Sequence, residues 1–190
     1  MSQDKQMRLT ENKLEVVSVR LVKDSPIMSE APITGPLDAV KLIGNELCQI
    51  DRECLALICL KNNGIPICCS ICSVGCLNQS VAHPREIFKT AILANAASMI
   101  LIHNHPSSNL QPSKEDTSLT DRMVQLCGLI GIPLLDHIIV GGDNEEYFSF
   151  KEKDVLPYPS YRFTTEYQDV NFDVPEVAEQ TAVRQSRRHR

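Results

Sequence analysis

The sequence contains no tryptophan, and its four tyrosines and five phenylalanines leave aliphatic side chains to fill the interior. It has no apolar run as long as the roughly 20 residues that a membrane-spanning helix needs. Residues 1–8 are polar and lack the apolar core of a secretory signal peptide. From a length of 190 residues we expect one globular domain with terminal extensions, located in the cytoplasm and without a membrane partner.

An excess of positive charge is also absent. The 19 lysines and arginines are outnumbered by 24 aspartates and glutamates, which gives a formal net charge of -5. This balance argues against non-specific nucleic-acid binding by the whole chain, because such binding depends on basic side chains that contact phosphates. The last residues, 184–190, are nevertheless basic, and contact with DNA through this end is a further expectation.

Eight cysteines are present, but a reducing compartment does not favour a disulfide framework. Four of them, Cys68, Cys69, Cys72 and Cys76, lie along or just beyond one predicted strand. A zinc knuckle needs two separated ligand pairs, and no distant pair accompanies this group. We interpret these cysteines as small apolar residues that fill the interior.

The apolar pattern alternates between helical and strand periodicity, with hairpin turns as well as strand–helix–strand units. The predicted strands are 14–22, 53–60, 65–74, 98–102, 138–140 and 147–150. The predicted helices are 37–48, 84–97 and 113–128, the last one ended by Gly128 and Gly131. This order predicts the α/β class, an α/β sandwich with a mixed sheet.

Two histidines follow the predicted buried strand 98–102. His103 and His105 are two residues apart, so their side chains project to the same side of an extended backbone. Both imidazoles can then reach one metal ion at about 2.0–2.1 Å. Pro106 ends the strand pairing, and the ten residues between His105 and Asp116 are enough for a loop that returns a carboxylate to the histidines. The pattern predicts a zinc site with two nitrogen ligands and one oxygen ligand.

Ser113 and Asp116 also have the spacing of a helix-capping box, in which the two side chains satisfy backbone N–H groups at a helix start. That interpretation requires no chemistry. It is compatible with the metal site, because a carboxylate at the third helical position can cap the helix and still offer one oxygen to a metal.

This region resembles the RadC branch of the JAB/MPN domain family, whose metalloprotease members carry the JAMM motif. That motif is a glutamate, then His-x-His-Pro, six residues, Ser, two residues and Asp. The matching residues here are His103, Asn104, His105, Pro106, Ser113 and Asp116. Flanking strings typical of the branch are His83-Pro84-Arg85-Glu86 and Leu135-Asp136-His137.

The resemblance implies a cytidine-deaminase-like α/β sandwich, in which helices flank a mixed β-sheet. The residues before the match predict an N-terminal strand and loop extension over 1–34, and the resemblance implies a RadC-like JAB/MPN metal-binding domain over 35–152. The remaining residues, 153–190, are expected to form a flexible C-terminal tail.

The resemblance also implies roles for the residues. His103, His105 and Asp116 would hold Zn²⁺, and Ser113 would stabilise the tetrahedral oxyanion. A glutamate would act as the general base that activates water. Glu53 matches the expected position of this base, because it is followed by an apolar strand. Glu86 is the competing residue, although an acid at this point also suits the start of a helix.

The implied activity is hydrolysis of a peptide or isopeptide amide, and the expected partner is a peptide or protein substrate. Asn104 occupies a position where many JAMM proteases have Ser or Thr, so their specificity does not carry over. About 35 residues precede the match, which are expected to be too few for the DNA-binding helix-hairpin-helix region of RadC-like proteins. The alternatives are a DNA-repair-associated or DNA-processing factor and a non-catalytic MPN scaffold.

Overall fold

The computed structural model describes residues 31–75, 83–141 and 146–160, which lie within the compact unit Met1–Ser160. The predicted strand 14–22 and the basic end 184–190 lie outside the described residues. Both stay predictions, as does the division of the chain into two extensions and a central domain.

The described residues form a series of helices and strands. The helical segments are α1 (Pro36–Ala39), a π-helical turn (Val40–Gly44), α2 (Asn45–Cys48), α3 (Pro84–Leu93) and α4 (Lys114–Ile130). The strands are β1 (Cys54–Leu60), β2 (Pro66–Val74), β3 (Ser98–Asn104), β4 (Leu134–Val140) and β5 (Tyr147–Ser149). Among the helices described, α4 is the longest, and none has the length and apolar character needed to cross a membrane.

The five strands form one mixed sheet in the order β2-β1-β3-β4-β5. Neighbouring strands are antiparallel except for β3 and β4, which are parallel and are joined through α4. A parallel pair needs such a crossover, because its two strands must start at the same edge of the sheet. The prediction of an α/β sandwich with a mixed sheet is confirmed.

The sheet has an apolar layer on each face. On one face Leu57 of β1 packs with Ile87 of α3 and Met123 of α4. On the other face Ile58 of β1 packs with Ile43 of the π-helical turn. The central strands β1 and β3 are buried along their whole length, which explains why both are continuous apolar runs rather than alternating ones. The candidate functional residues lie at one end of these two strands.

The predicted end of α4 was wrong in part. Gly128 lies inside the helix, which continues to Ile130 and ends at Gly131 in the left-handed conformation with φ of 80°. A Cβ atom at Gly128 would lie 2.8 Å from Cβ of Pro159. Glycine at 128 therefore allows the segment after β5 to approach the helix, and glycine at 131 ends the helix.

Candidate metal centre

The histidine pair lies where β3 ends beside the start of β1. In the antiparallel pairing of these strands, His103 stands opposite Leu55, so Glu53 belongs to the same edge of the sheet. β3 is longer than the sequence pattern predicts, because it includes His103 and continues to Asn104. The N-terminus of α4 brings Asp116 to this edge. Three elements therefore meet at the histidines, β1, β3 and α4, and β1 is separated from the other two in the sequence by β2 and α3.

Three side chains converge at this point. Nε2 of His103 lies 2.9 Å from Nε2 of His105. One oxygen of Asp116, Oδ1, lies 3.2 Å from Nε2 of His103, and the other, Oδ2, lies 3.4 Å from Nε2 of His105. All three side chains are largely shielded from solvent, with exposed fractions of 7%, 9% and 16% in the order His103, His105, Asp116.

These separations fit a shared metal ion. Two donors at about 2.0–2.1 Å from one zinc ion, at a tetrahedral angle, lie about 3.3 Å from each other. The ring of His105 is suited to binding, because its Nδ1 lies 2.5 Å from the carbonyl oxygen of Asn109. A carbonyl only accepts hydrogen bonds, so Nδ1 carries the proton and Nε2 of the neutral ring offers its lone pair.

The local electrostatics favour a charged carboxylate. Burial works to raise the pKa of Asp116, but the nearby imidazoles of His103 and His105 and the hydrogen bonds from Ser113 outweigh it and hold this pKa well below its usual value. Burial works to lower the pKa of His105, but Asp116, the carbonyl of Asn109 and the charge of Glu53 raise it overall. Asp116 is therefore ionised at neutral pH, which a metal-binding carboxylate must be.

Ser113 orients Asp116 through a capping box, as its spacing predicts. Oγ of Ser113 accepts a hydrogen bond from the backbone N–H of Asp116 at 3.0 Å. The carboxylate oxygen Oδ2 accepts from the backbone N–H of Ser113 at 2.8 Å and from its hydroxyl at 2.6 Å. The hydroxyl proton of Ser113 is thus donated to Asp116, and it would have to turn away to reach an oxyanion.

The two candidate bases lie in different surroundings. Glu53 is half-buried at the start of β1, and its charge contributes to the raised pKa of His105. Glu86 is exposed on α3, where its Oε2 lies 2.6 Å from Nζ of Lys89, and this contact lowers its pKa. The structure therefore brings Glu53 towards the histidines and engages Glu86 in a surface ion pair.

Asn104 lies between the two histidines and projects to the other side of β3. Its Oδ1 accepts a hydrogen bond from the backbone N–H of Cys54 at 2.7 Å. Its Nδ2 donates to the backbone carbonyls of Ile50 and Arg52, at 3.3 and 3.1 Å. One buried amide therefore holds the backbone on both sides of Glu53. In the sequence, Asn104 stood out only because many JAMM proteases have Ser or Thr at this position. The structure gives it a structural role, because its amide donates and accepts hydrogen bonds at the same time.

Replacing Asn104 with alanine is expected to lower the free energy of unfolding by about 2–4 kcal/mol, because three hydrogen bonds are lost and buried backbone groups lose this partner. The matched control is Asn63→Ala, whose side chain accepts one exposed hydrogen bond from Ile65 N–H at 3.3 Å. That change should cost less than about 1 kcal/mol. Urea unfolding of the metal-free proteins measures both values. Equal losses of stability in the two variants would contradict the view that Asn104 holds the backbone on both sides of Glu53.

A third histidine lies behind the pair. The ring of His137 is fully buried, and its Nε2 lies 2.9 Å from Nδ1 of His103. Burial first, and then the charge of His103, hold the pKa of His137 well below its ordinary value. The adjacent Asp136 is not a partner of this ring, because its carboxylate accepts hydrogen bonds from Ser149 Oγ and from the backbone N–H groups of Lys151 and His137.

Across the described ranges 31–75, 83–141 and 146–160, His103, His105 and Asp116 are the one group of three side chains with geometry suited to a metal ion. Their donor atoms all lie within 4.8 Å of one another. The cysteines of β2 belong to no such group within those ranges; Cys68 and Cys72 pack against the apolar layer on one face of the sheet and Cys69 against the layer on the other. Cys76 lies outside the described residues.

The fold and this site define an α/β protein with a mixed sheet and a His-His-Asp group able to hold a metal ion. Residues 33–155 match the RadC-like JAB domain, and the chain belongs to this family. The resemblance noted from the motif is thereby confirmed.

Several curated relatives are similar to the same part of the chain. The UPF0758 protein of Rubrobacter xylanophilus is 44% identical over 124 residues, which cover 65% of this chain and 53% of the relative. The UPF0758 proteins of Clostridium tetani and Clostridium acetobutylicum are 46% and 45% identical over 124 residues, covering 65% of this chain and 54% and 53% of those relatives. The chain therefore spans about half the length of these relatives.

Proposed function

We propose that this protein is a zinc-dependent hydrolase that cleaves a peptide or isopeptide amide. The observation that carries the proposal is the convergence of His103, His105 and Asp116 at one edge of the sheet, with the charge of Glu53 close to it. Catalytic zinc sites use three protein ligands, whereas structural sites use four. Two imidazoles and one carboxylate are a ligand set of the catalytic kind.

In this proposal His103, His105 and Asp116 hold the zinc ion. When bound, zinc polarises a carbonyl oxygen and lowers the pKa of a water molecule towards about 7. The shielding of the three side chains from solvent strengthens their electrostatic interactions with the charge that develops during the reaction.

Glu53 acts as the general base and then as the general acid. Its carboxylate accepts a proton from the attacking water as the new C–O bond forms. When the C–N bond breaks, the same carboxyl group returns that proton to the departing amine. Ser113 turns its hydroxyl proton from Asp116 to the oxyanion of the tetrahedral intermediate. The products are a carboxylic acid and an amine, and no other reactant is needed.

The first experiment measures bound metal and amide hydrolysis together. Purified protein should contain close to one zinc ion per chain by mass spectrometry of metals. The zinc-loaded protein is then incubated with two probes: a pool of tryptic peptides, and a peptide that carries a lysine isopeptide bond. New amino groups should be released from one of the probes. Their release should stop when a chelator removes the zinc. A protein that neither retains zinc nor releases amino groups from either probe would overturn the proposal.

The DNA-associated alternative depends on residues 184–190, which lie outside the described ranges. Within those ranges no contact favours it, or favours the scaffold alternative, over hydrolysis. We therefore propose hydrolysis as the one function.

A further inference from the structure

A chain of buried hydrogen bonds extends from His103 away from the metal centre. Nδ1 of His103 lies 2.9 Å from Nε2 of His137 on β4. Nδ1 of His137 lies 2.6 Å from Oγ1 of Thr120 on α4. That hydroxyl donates to the backbone carbonyl of Asp116 at 2.7 Å, one turn earlier in the same helix. His137 and Thr120 are both almost completely buried, so water cannot substitute for these partners.

The far end of this chain determines where each proton lies. The carbonyl of Asp116 can only accept, so the single proton of the Thr120 hydroxyl points to it. The hydroxyl oxygen then accepts from His137, which places the proton of the neutral ring on Nδ1. The bare Nε2 of His137 accepts in turn from Nδ1–H of His103. The proton of the neutral His103 ring is therefore on Nδ1, and its Nε2 is bare and directed at His105 and Asp116.

This hydrogen-bonded chain from His103 through His137 and Thr120 to the carbonyl of Asp116, called the relay below, is also held in place by packing. The ring of His137 stacks on Phe150, with ring centroids 5.2 Å apart and an angle of 9° between the planes. Asp116 takes part twice, because its side chain belongs to the metal centre and its backbone carbonyl ends the relay. A displacement of α4 would therefore disturb the orientation of His103 and the position of Asp116 at the same time.

We propose that Thr120 and His137 are positioning residues that hold His103 in the tautomer with its proton on Nδ1 and thereby present Nε2 to the metal. The effect on zinc binding rests on the proposed function. The tautomer does not, because it follows from the hydrogen bonds that link His103, His137, Thr120 and the carbonyl of Asp116.

The first test is the Thr120→Val variant, which has nearly the same shape but no hydroxyl. Its zinc affinity, measured by competition with a chromogenic chelator, should fall by about 10–100-fold, as is usual when a group supporting a metal ligand is removed. Thr120→Ser keeps the hydroxyl and should bind zinc within about threefold of the original protein.

Thr117→Val is the matched control on the same helix. The hydroxyl of Thr117 also donates to a carbonyl four residues earlier, that of Ser113, at 2.9 Å, but it is exposed and contacts no histidine in the described structure. Its zinc affinity should match that of the original protein. If Thr120→Val and Thr117→Val bind zinc equally well, the positioning role is overturned although the proposed function stands.

The second test uses no metal and no substrate. Correlation spectra between the ring nitrogens and ring protons of the metal-free protein report the tautomer of each histidine. The proton of His103 and that of His137 should both be on Nδ1, and in Thr120→Val both rings should lose this single tautomer. A proton on Nε2 of His103 in the original protein would overturn the inference. A protein that binds no zinc but has the expected tautomers would instead contradict the proposed function alone.

Discussion

Replacing Glu53 with glutamine is expected to lower kcat for amide hydrolysis by about 10²–10⁴-fold, which is the usual contribution of a general acid–base group. Glutamine has nearly the same size but cannot accept a proton from water. The backbone around Glu53 should not move, because the side chain of Asn104 holds the residues on both sides of it. Zinc affinity should therefore change little, so the loss lies in the reaction step. Rate measurements on the bond that the unmodified protein cleaves, together with zinc titration, check both parts.

The matched control is Glu86→Gln. Its carboxylate is exposed and paired with Lys89 at 2.6 Å on the surface of α3, and exposed pairs of this kind contribute little to stability because solvent screens them. Hydrolysis by this variant should stay within about twofold of the unmodified rate. A large loss in Glu86→Gln with none in Glu53→Gln would assign the base to Glu86.

Replacing Asp116 with asparagine is expected to weaken zinc binding by about 10²–10³-fold. Zinc sites with four ligands are worth about 10–16 kcal/mol, which is roughly 3–4 kcal/mol for each ligand. Asparagine removes the negative charge that the histidines and Ser113 stabilise in the folded protein. It also replaces one of the two carboxylate oxygens with an NH2 group, so one oxygen can no longer both accept from Ser113 and face His103 as Oδ2 and Oδ1 do together.

Asp121→Asn serves as the control, because Asp121 is exposed on the same helix and lies outside the metal group. Thermal unfolding gives the second measurement. Zinc at 100 times its dissociation constant should stabilise the original protein and Asp121→Asn by about 2.7 kcal/mol. Asp116→Asn should lose nearly all of this gain at the same zinc concentration. Equal stabilisation of the two variants would show that Asp116 is not a zinc ligand.

Much of the fold follows from local patterns. Asn63-Gly64 between two apolar runs predicted the β1–β2 hairpin, and Gly64 adopts the positive φ of 78° that such a turn requires. The helix 37–48 was predicted from its periodicity, but the π-helical turn within it (Val40–Gly44) was not. That turn packs against the sheet through Val40 and Ile43. Such packing depends on the tertiary structure, and the spacing of apolar residues along the chain does not predict it.

The sequence by itself determined the relative arrangement of residues that lie close together along the chain. His103 and His105 lie on one side of a strand because side chains alternate along an extended backbone. Ser113 and Asp116 form a capping box because Asp116, at the third helical position, follows the N-cap residue Ser113 by three positions. These two patterns also carried the resemblance to the RadC-like JAB domain, and they were sufficient to indicate the three residues of the group that could hold a metal ion.

Only the tertiary structure decided what supports those residues. The register that sets Leu55 opposite His103 brings Glu53, and not Glu86, to the histidines. The parallel pairing of β3 with β4 brings His137 behind His103. His137 is 34 residues from His103 in the sequence, and Asn104, which holds the backbone beside Glu53, is 50 residues from Cys54. Contacts over such separations depend on strand register and helix docking, which no local pattern specifies, and the neighbours proposed to serve and orient the His-His-Asp group are set by them.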